Sequence, residues 1–349
     1  MNYFEFVNKY QKVVVTEFNN SVDNCIKHPV VSVHLVTFNH VLYIQRAIDS
    51  ILMQQTDFEF EVIIGDDDST DGTRDICIDY AKRFPEKVKL FLHDRRNNIQ
   101  VYNTPCLIFQ YIYNSFHLRG TFIATLSGDD YWMDPLKLQK QYDFLVTHPD
   151  VSLCYHRFNV INESNNIILN EEMGVKYERI SRSIRPLTSM FINFFKFDIP
   201  NQFAEVLAED SFGNYLLSLI GGKKFLDNIQ PAIYRSHSNS IWSSKSILFK
   251  SEIDVITVSK IKESFYSTVS KREKSSIQEI LTMKLLRRAF FKSIYTKESH
   301  ISIWKFFFKD CQDNNISIVT IIRTLFKNLY FEFYATASSS RYYFLRKWS

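Results

Sequence analysis

Residues 29–243 are predicted to form an α/β fold, a mostly parallel central sheet flanked by helices, with a helical region following. Two observations predict the fold. Apolar, β-branched runs alternate with stretches of helical spacing from Pro29 to Ile161. Polar and acidic clusters stand where those runs end, which is where open parallel sheets receive ligands. A third observation sets the last part aside. Beyond Ser243 the alternation stops, and residues 245–349 carry 19 Lys/Arg against 9 Asp/Glu.

Residues 1–28 read as an extension with a short helix around Tyr3–Tyr10. VVSVHLVT (30–37) is apolar along its length, as befits a strand covered on both faces. HVLYIQRAIDSILMQQ (40–55) places Leu42, Ile44, Ala47, Ile48, Ile51 and Leu52 at helical spacing. FEVIIG (60–65), KVKLFLH (87–93), TFIATL (121–126) and VSLCYHRFNVI (151–161) read as further strands. STDGTRDICIDYAKRF (69–84), PCLIFQYIYNSF (105–116) and PLKLQKQYDFLV (135–146) read as helices, the last with Pro135 in its first turn. Residues 162–185 are polar and loop-like. Helices are expected over 186–197 and 202–220, and short strands followed by a loop over 223–242. In the basic region, helices are expected over 272–296 and 316–334, ahead of an aromatic, basic tail at 340–349.

With 349 residues, 45% hydrophobic and 23% charged, the chain is globular and long enough for one large domain or two. Its five cysteines are odd in number and scattered, which gives neither a disulfide framework nor a CxxC metal knuckle. No basic-apolar leader and no run of 18 apolar residues appears, so a cytosolic protein without a spanning helix is expected.

The chemistry concentrates in two motifs. SGDDYWMDP (127–135) sets Asp129 and Asp130 at a strand end, where adjacent carboxylates repel unless a cation lies between them or one is protonated. GDDDSTDGT (65–73) puts Asp66, Asp67 and Asp68 at the end of the second strand. An EF-hand counted from Asp67 fails, because position 12 is Ile78 rather than Glu. No GxGxxG follows the first strand, so a dinucleotide fingerprint is absent. A carboxylate at the end of the second strand still suits a ribose hydroxyl or a base N–H.

In order and spacing, TFNHVLYIQRAIDSILMQ, VIIGDDDSTDGT, SGDDYWMDPLKLQKQ, AED (208–210) and YRSHSNSIW (234–242) resemble the family 2 glycosyltransferases, particularly the bacterial branch that builds capsule, O-antigen and exopolysaccharide. The resemblance implies a GT-A fold with a nucleotide-binding half (29–135) and an acceptor half (136–243). It also implies a nucleotide-sugar donor, UDP-linked, a divalent cation (Mn2+ or Mg2+) and inversion at the anomeric carbon. Carried over by position, Thr37 and Asn39 line the nucleotide. Asp67 accepts the uracil N3–H, with Asp66 beside it. Asp130 holds the cation, while Asp129 faces ribose or sugar. His237 contacts the metal or the diphosphate, and Trp242 belongs to a loop closing over the donor. Asp210 is the general base, with Glu209 as the alternative at that position. Asp68 departs from the family pattern. Asp71 reads as a helix cap, and Arg95 and Arg96 as solvated positive charge.

The rivals are a nucleotidyltransferase, which would want a glycine- and lysine-rich loop where TFNH stands, and a glycan-binding scaffold that retains the fold. A nucleic-acid partner is not expected: no reader motif appears, and the acidic rim would repel a polyanion. For residues 244–349 the alternatives are an anionic membrane surface, the catalytic domain, or a second subunit in a homo-oligomer. The resemblance implies a growing glycan or polyprenyl-linked acceptor, while the charge and aromatic content of KLLRRAFFKSIY (284–295) and TLFKNLYFEFY (324–334) suggest peripheral attachment to the inner face of the cell membrane.

Overall fold

In a computed structural model, the residues described are 1–18, 28–101, 104–106, 108–162, 166–170, 184, 186–237, 245–296 and 298–324. The chain divides into two compact units, Met1–Ser244 and Lys245–Ser349.

The first unit begins with α1 (Tyr3–Tyr10), closed by a capping box between Asn2 and Glu5, and β1 (Thr16–Phe18). Then come β2 (Val31–Thr37), α2 (Ile44–Leu52), β3 (Phe60–Asp66), α3 (Thr73–Arg83) and β4 (Val88–Leu92). A small hairpin, β5 (Ile99–Val101) with β6 (Thr104–Cys106), precedes α4 (Ile108–Ser115), β7 (Phe122–Ser127) and α5 (Lys137–Thr147). The unit continues through β8 (Val151–Tyr155), β9 (Phe158–Ile161), β10 (Ile167–Asn170) and β11 (Ser189–Ile192). It ends with α6 (Glu209–Ile220), β12 (Gly222–Phe225) and β13 (Ala232–Arg235).

The main sheet has the order β1-β4-β3-β2-β7-β11-β8-β12. Its centre, β4 through β7, is parallel, while β1 and β11 run antiparallel to their neighbours. Val33, Leu35, Val62, Ile64, Leu126 and Leu138 are fully buried in its core. Register decides where the site lies. Thr37 pairs with Asp66 across β2 and β3, and Val36 pairs with Ser127 across β2 and β7. The carboxyl ends of three adjacent strands are therefore level, so their following loops share one rim. A second sheet, β10-β9-β13, is joined to this rim through a bridge between Tyr131 and Ile233.

Several expectations are corrected. The helix expected over 186–197 is β11 between short 3-10 turns. Ser189, Met190 and Phe191 are buried because β11 fills the gap between β7 and β8, and that pairing overrides the helical spacing. The single strand expected over 151–161 is two, β8 and β9, which enter different sheets. The helix expected from Pro105 begins at Ile108, since Thr104–Cys106 pairs with Ile99–Val101. The first part of the 202–220 helix is a 3-10 turn, Asn201–Glu205.

The second unit holds α7 (Ile247–Phe265), α8 (Lys271–Tyr295) and α9 (His300–Asp313), of which only α8 was expected. They share an apolar core containing Val258, Leu281, Leu285, Ile303 and Phe307. Arg288 ties the three together by pairing with Glu252 of α7 at 3.0 Å and with Asp310 of α9. Of the 316–334 helix, residues 318–324 are helical and those from 325 lie outside the described residues, as does the tail at 340–349. Among the described residues, no helix is long and apolar enough to cross a membrane.

Candidate active site

The loop after β2 is laced to the loop after β3. Asn39 adopts a left-handed conformation (φ 54°), which asparagine tolerates better than most residues. Its backbone N–H donates to Ser69 Oγ at 2.9 Å, and its side-chain oxygen accepts from Thr70 N–H at 3.0 Å. His40 N–H donates to Thr73 Oγ1 at 2.7 Å, and Val41 N–H to Asp71 Oδ2 at 3.0 Å. Asp71 also accepts from the Thr73 N–H and hydroxyl. It is thus a tether between two loops that also accepts the first N–H of α3, while Gly72 holds the N-cap position. Gly128 lets the third loop close in, because a Cβ there would stand 2.5 Å from Thr37 Oγ1 and 2.8 Å from His40 Nδ1.

On one side of this rim lies Asp67, fully buried. Its Oδ2 accepts from Asn98 Nδ2 at 3.1 Å and lies 3.1 Å from Arg95 Nη1, whereas Oδ1 has no hydrogen-bond partner among the described residues. Burial pushes the Asp67 carboxyl up to about 6, against the opposing pull of Asn98 and Arg95. The Arg95 guanidinium also lies over the Phe38 ring at 4.0 Å. Arg95 is therefore part of the site, while Arg96 pairs with Asp94 at the surface. Asp66 is buried as well. Its Oδ2 accepts from Arg74 Nε at 2.7 Å and from Ser69 N–H at 3.2 Å. Asp68, left-handed at φ 64°, is more exposed, with Arg74 3.6 Å away.

On the other side the opening motif meets the end of the second sheet. Tyr131 and Ile233 exchange backbone hydrogen bonds of 3.2 and 2.9 Å. Arg235 N–H donates to Asp130 Oδ1 at 2.9 Å, and Arg235 Nε to the Asp129 carbonyl at 3.3 Å. This zipper brings His237 Nε2 to 3.1 Å from Asp129 Oδ2, across 108 residues of sequence. His40 Nε2 lies 3.9 Å from the same oxygen. One donor atom each from His40, Asp129 and His237 fall within 4.8 Å of one another. Burial works to raise Asp129, but the His237 hydrogen bond and the two imidazoles leave its carboxyl below the usual range. A carboxylate and two imidazoles converging this way fit a divalent cation. Asp130 is not in that group; its buried carboxylate anchors the strand that delivers His237. The sequence reading gave the direct ligand role to Asp130, whereas the imidazoles gather around Asp129.

Asp210 and Glu209 occupy the first turn of α6. Glu209 is pushed up to about 8, by burial first and then by the Asp210 charge. Trp242 lies outside the described residues. Sequence reasoning missed Phe38, His40 and Asn98. The first two stand inside the TFNH turn it had singled out, but neither residue type signals a role there by itself.

Residues 32–104 match the family described as Glycosyl transferase family 2. The chain is 33% identical over 225 residues to an uncharacterized protein of Mycobacterium tuberculosis, covering 61% of this chain and 60% of that one. It thus spans about three-fifths of the length of that relative. It is 27% identical over 138 residues, 40% of this chain and 49% of the other, to the Escherichia coli UDP-Glc:alpha-D-GlcNAc-diphosphoundecaprenol beta-1,3-glucosyltransferase WfgD. Among solved structures, S. aureus TarS in complex with UDP aligns with a TM-score of 0.55 at 18% identity, over 78% of this chain and 77% of that one. At that identity the likeness is one of fold, and the fold is GT-A. The match over residues 32–104 and the shared fold thus make this chain similar to the family 2 glycosyltransferases.

Proposed function

We propose that the chain transfers a sugar from a nucleotide donor, UDP-linked, to a growing surface glycan or lipid-linked oligosaccharide, with inversion. The observation that carries this reading is the pairing, on one sheet rim, of a buried carboxylate whose Oδ1 has no hydrogen-bond partner among the described residues (Asp67) and a carboxylate flanked by imidazoles (Asp129). Asp67 Oδ1 is suited to accept a base N–H, and the Phe38 ring, which lies under the same Arg95 guanidinium that pairs with Asp67, offers an apolar wall. Thr37, Asn39 and Asp66 fix the loops that form this pocket. Asp129 and His237 would hold Mn2+ or Mg2+, with Asp130 anchoring the strand that carries His237. Such a cation neutralises charge developing on a diphosphate leaving group.

Asp210 is assigned as the base that takes the acceptor hydroxyl proton. Glu209, raised to about 8, holds its own proton at neutral pH, which leaves Asp210 as the carboxylate of the pair. Trp242 is assigned to a loop over the donor. The E. coli relative, whose name specifies a diphosphoundecaprenol-linked substrate, supports a lipid-linked acceptor. The basic second unit is assigned to the anionic inner surface of the cell membrane. A thermal-shift screen of UDP-, GDP- and dTDP-sugars with and without Mn2+, followed by hydrolysis assays, tests the reading. Stabilisation by a UDP-sugar that requires the metal is the expected result. A chain that neither binds nor hydrolyses any sugar nucleotide overturns it.

A further inference from the structure

We propose that His40 is a metal ligand, and that the site is a two-histidine, one-carboxylate centre that selects Mn2+, Co2+ and similar transition-metal ions over Mg2+. The proposal deepens the cation site of the function proposed above and rests on that reading for the cation's role, though not for its binding. His40 Nε2 is 3.9 Å and His237 Nε2 3.1 Å from Asp129 Oδ2. Donors sharing one ion through bonds of about 2.0–2.2 Å sit roughly 3–4.3 Å apart, so little movement closes this set around a metal. The side chains are sheltered, at 16% exposure for His40, 13% for Asp129 and 5% for His237.

Three features hold the His40 ring in place. Thr37 Oγ1 lies 3.1 Å from its Nδ1, and that contact orients the ring with Nε2 toward Asp129. Thr73 Oγ1 fixes its backbone N–H at 2.7 Å. Gly128 leaves the space in which the ring sits. Two imidazoles change the selectivity of the centre. Mg2+ takes oxygen ligands in a strict octahedron and keeps several waters, whereas imidazole favours later divalent ions. A site already assembled from three side chains binds its ion before any diphosphate arrives.

The test is calorimetric titration of the chelator-treated, full-length protein with Co2+, Mn2+ and Mg2+, without nucleotide, alongside the visible absorption of bound Co2+. One Co2+ per chain is expected, with Mg2+ at least about tenfold weaker. His40→Gln should weaken Co2+ at least about tenfold and alter its absorption band. Thr37→Val, which keeps the ring and removes its partner, should cost roughly tenfold and guards against a His40 variant that misfolds. Mg2+ binding as tightly as Co2+, or wild-type Co2+ affinity in both variants, overturns the proposal. So does a His40→Gln protein that keeps Co2+ but loses UDP, which would make His40 a diphosphate contact. Co2+ binding as expected in a chain that handles no sugar nucleotide supports the ligand set and overturns the transfer reading alone.

Discussion

At the residue scale, Asp67 gives the sharpest prediction. Its folded carboxyl sits at about 6 against an ordinary value of 3.8, so between those pH values the folded chain holds a proton that the unfolded chain has released. Stability contributed there is therefore present at low pH and lost as pH rises through about 6. Function runs the other way, because an ionised Asp67 is the better acceptor for a base N–H. UDP affinity should fall as pH drops below about 6, by roughly tenfold per unit. Asp67→Asn should remove that dependence and raise the melting temperature at pH 7. Calorimetry and melting curves from pH 5 to 8 measure both, and an unchanged pH profile in the variant would sink the assignment. Gly128→Ala is a steric counterpart. Its Cβ would collide with Thr37 and His40, so transfer should drop about a hundredfold while the far sheet stays folded. Asp67 and Asp129 were legible because carboxylates at strand ends are chemically conspicuous. His40 was not, because a lone histidine in a turn acquires meaning only from His237, nearly two hundred residues away in sequence.

At the element scale, the parallel centre was legible and the later strands were not. β2, β3, β4 and β7 are mostly apolar and β-branched, and their burial on both faces follows from that composition. β11 is four residues long, and its partners lie in distant β7 and β8, so local spacing alone favoured a helix. α5 carries a feature no pattern announces: Lys137 is fully buried, its Nζ over the Trp132 ring at 4.0 Å and donating to Gln141 Oε1 at 2.6 Å. Burial lowers it to about 7 from 10.5. A folded pKa below the unfolded one means the unfolded chain binds more protons between those values, so stability rises with pH from about 7 to 10.5. Lys137→Met removes the buried charge while keeping volume, and should stabilise the protein by about 1–4 kcal/mol at pH 6. The gain should shrink toward pH 10. Urea unfolding at the two pH values measures this, and a Met variant less stable at pH 6 would show that the Gln141 and Trp132 contacts outweigh desolvation.

At the scale of the whole molecule, the chain separates an acidic sheet domain from a basic helical unit, and the swing in charge near Ser244 marks the division. The content of the second unit was harder to read, since α7 and α9 break their apolar stripes with charged and aromatic residues. α9 shows why. Ile303, Phe307 and Cys311 are buried in the helical core, while Ile301, Trp304 and Phe308 face outward at 71%, 43% and 49% exposure. Exposed Lys305 and Lys309 flank them. An outward face with Trp, Phe and Ile beside lysines suits the interface of an anionic bilayer, where each cation adds about 1 kcal/mol. Full-length protein should co-sediment with phosphatidylglycerol vesicles, more weakly as salt rises, and not with neutral ones. Replacing Ile301, Trp304 and Phe308 together by Ser should abolish sedimentation while leaving hydrolysis of a sugar nucleotide in solution unchanged. Trp304 and Phe308 also border the buried Phe307 ring, with centroids 5.5 and 5.2 Å away, so the triple variant should melt somewhat below the parent, and the two are compared at a temperature where both are folded. Equal sedimentation of the two proteins would remove α9 from the membrane surface and leave its outward face to a protein partner.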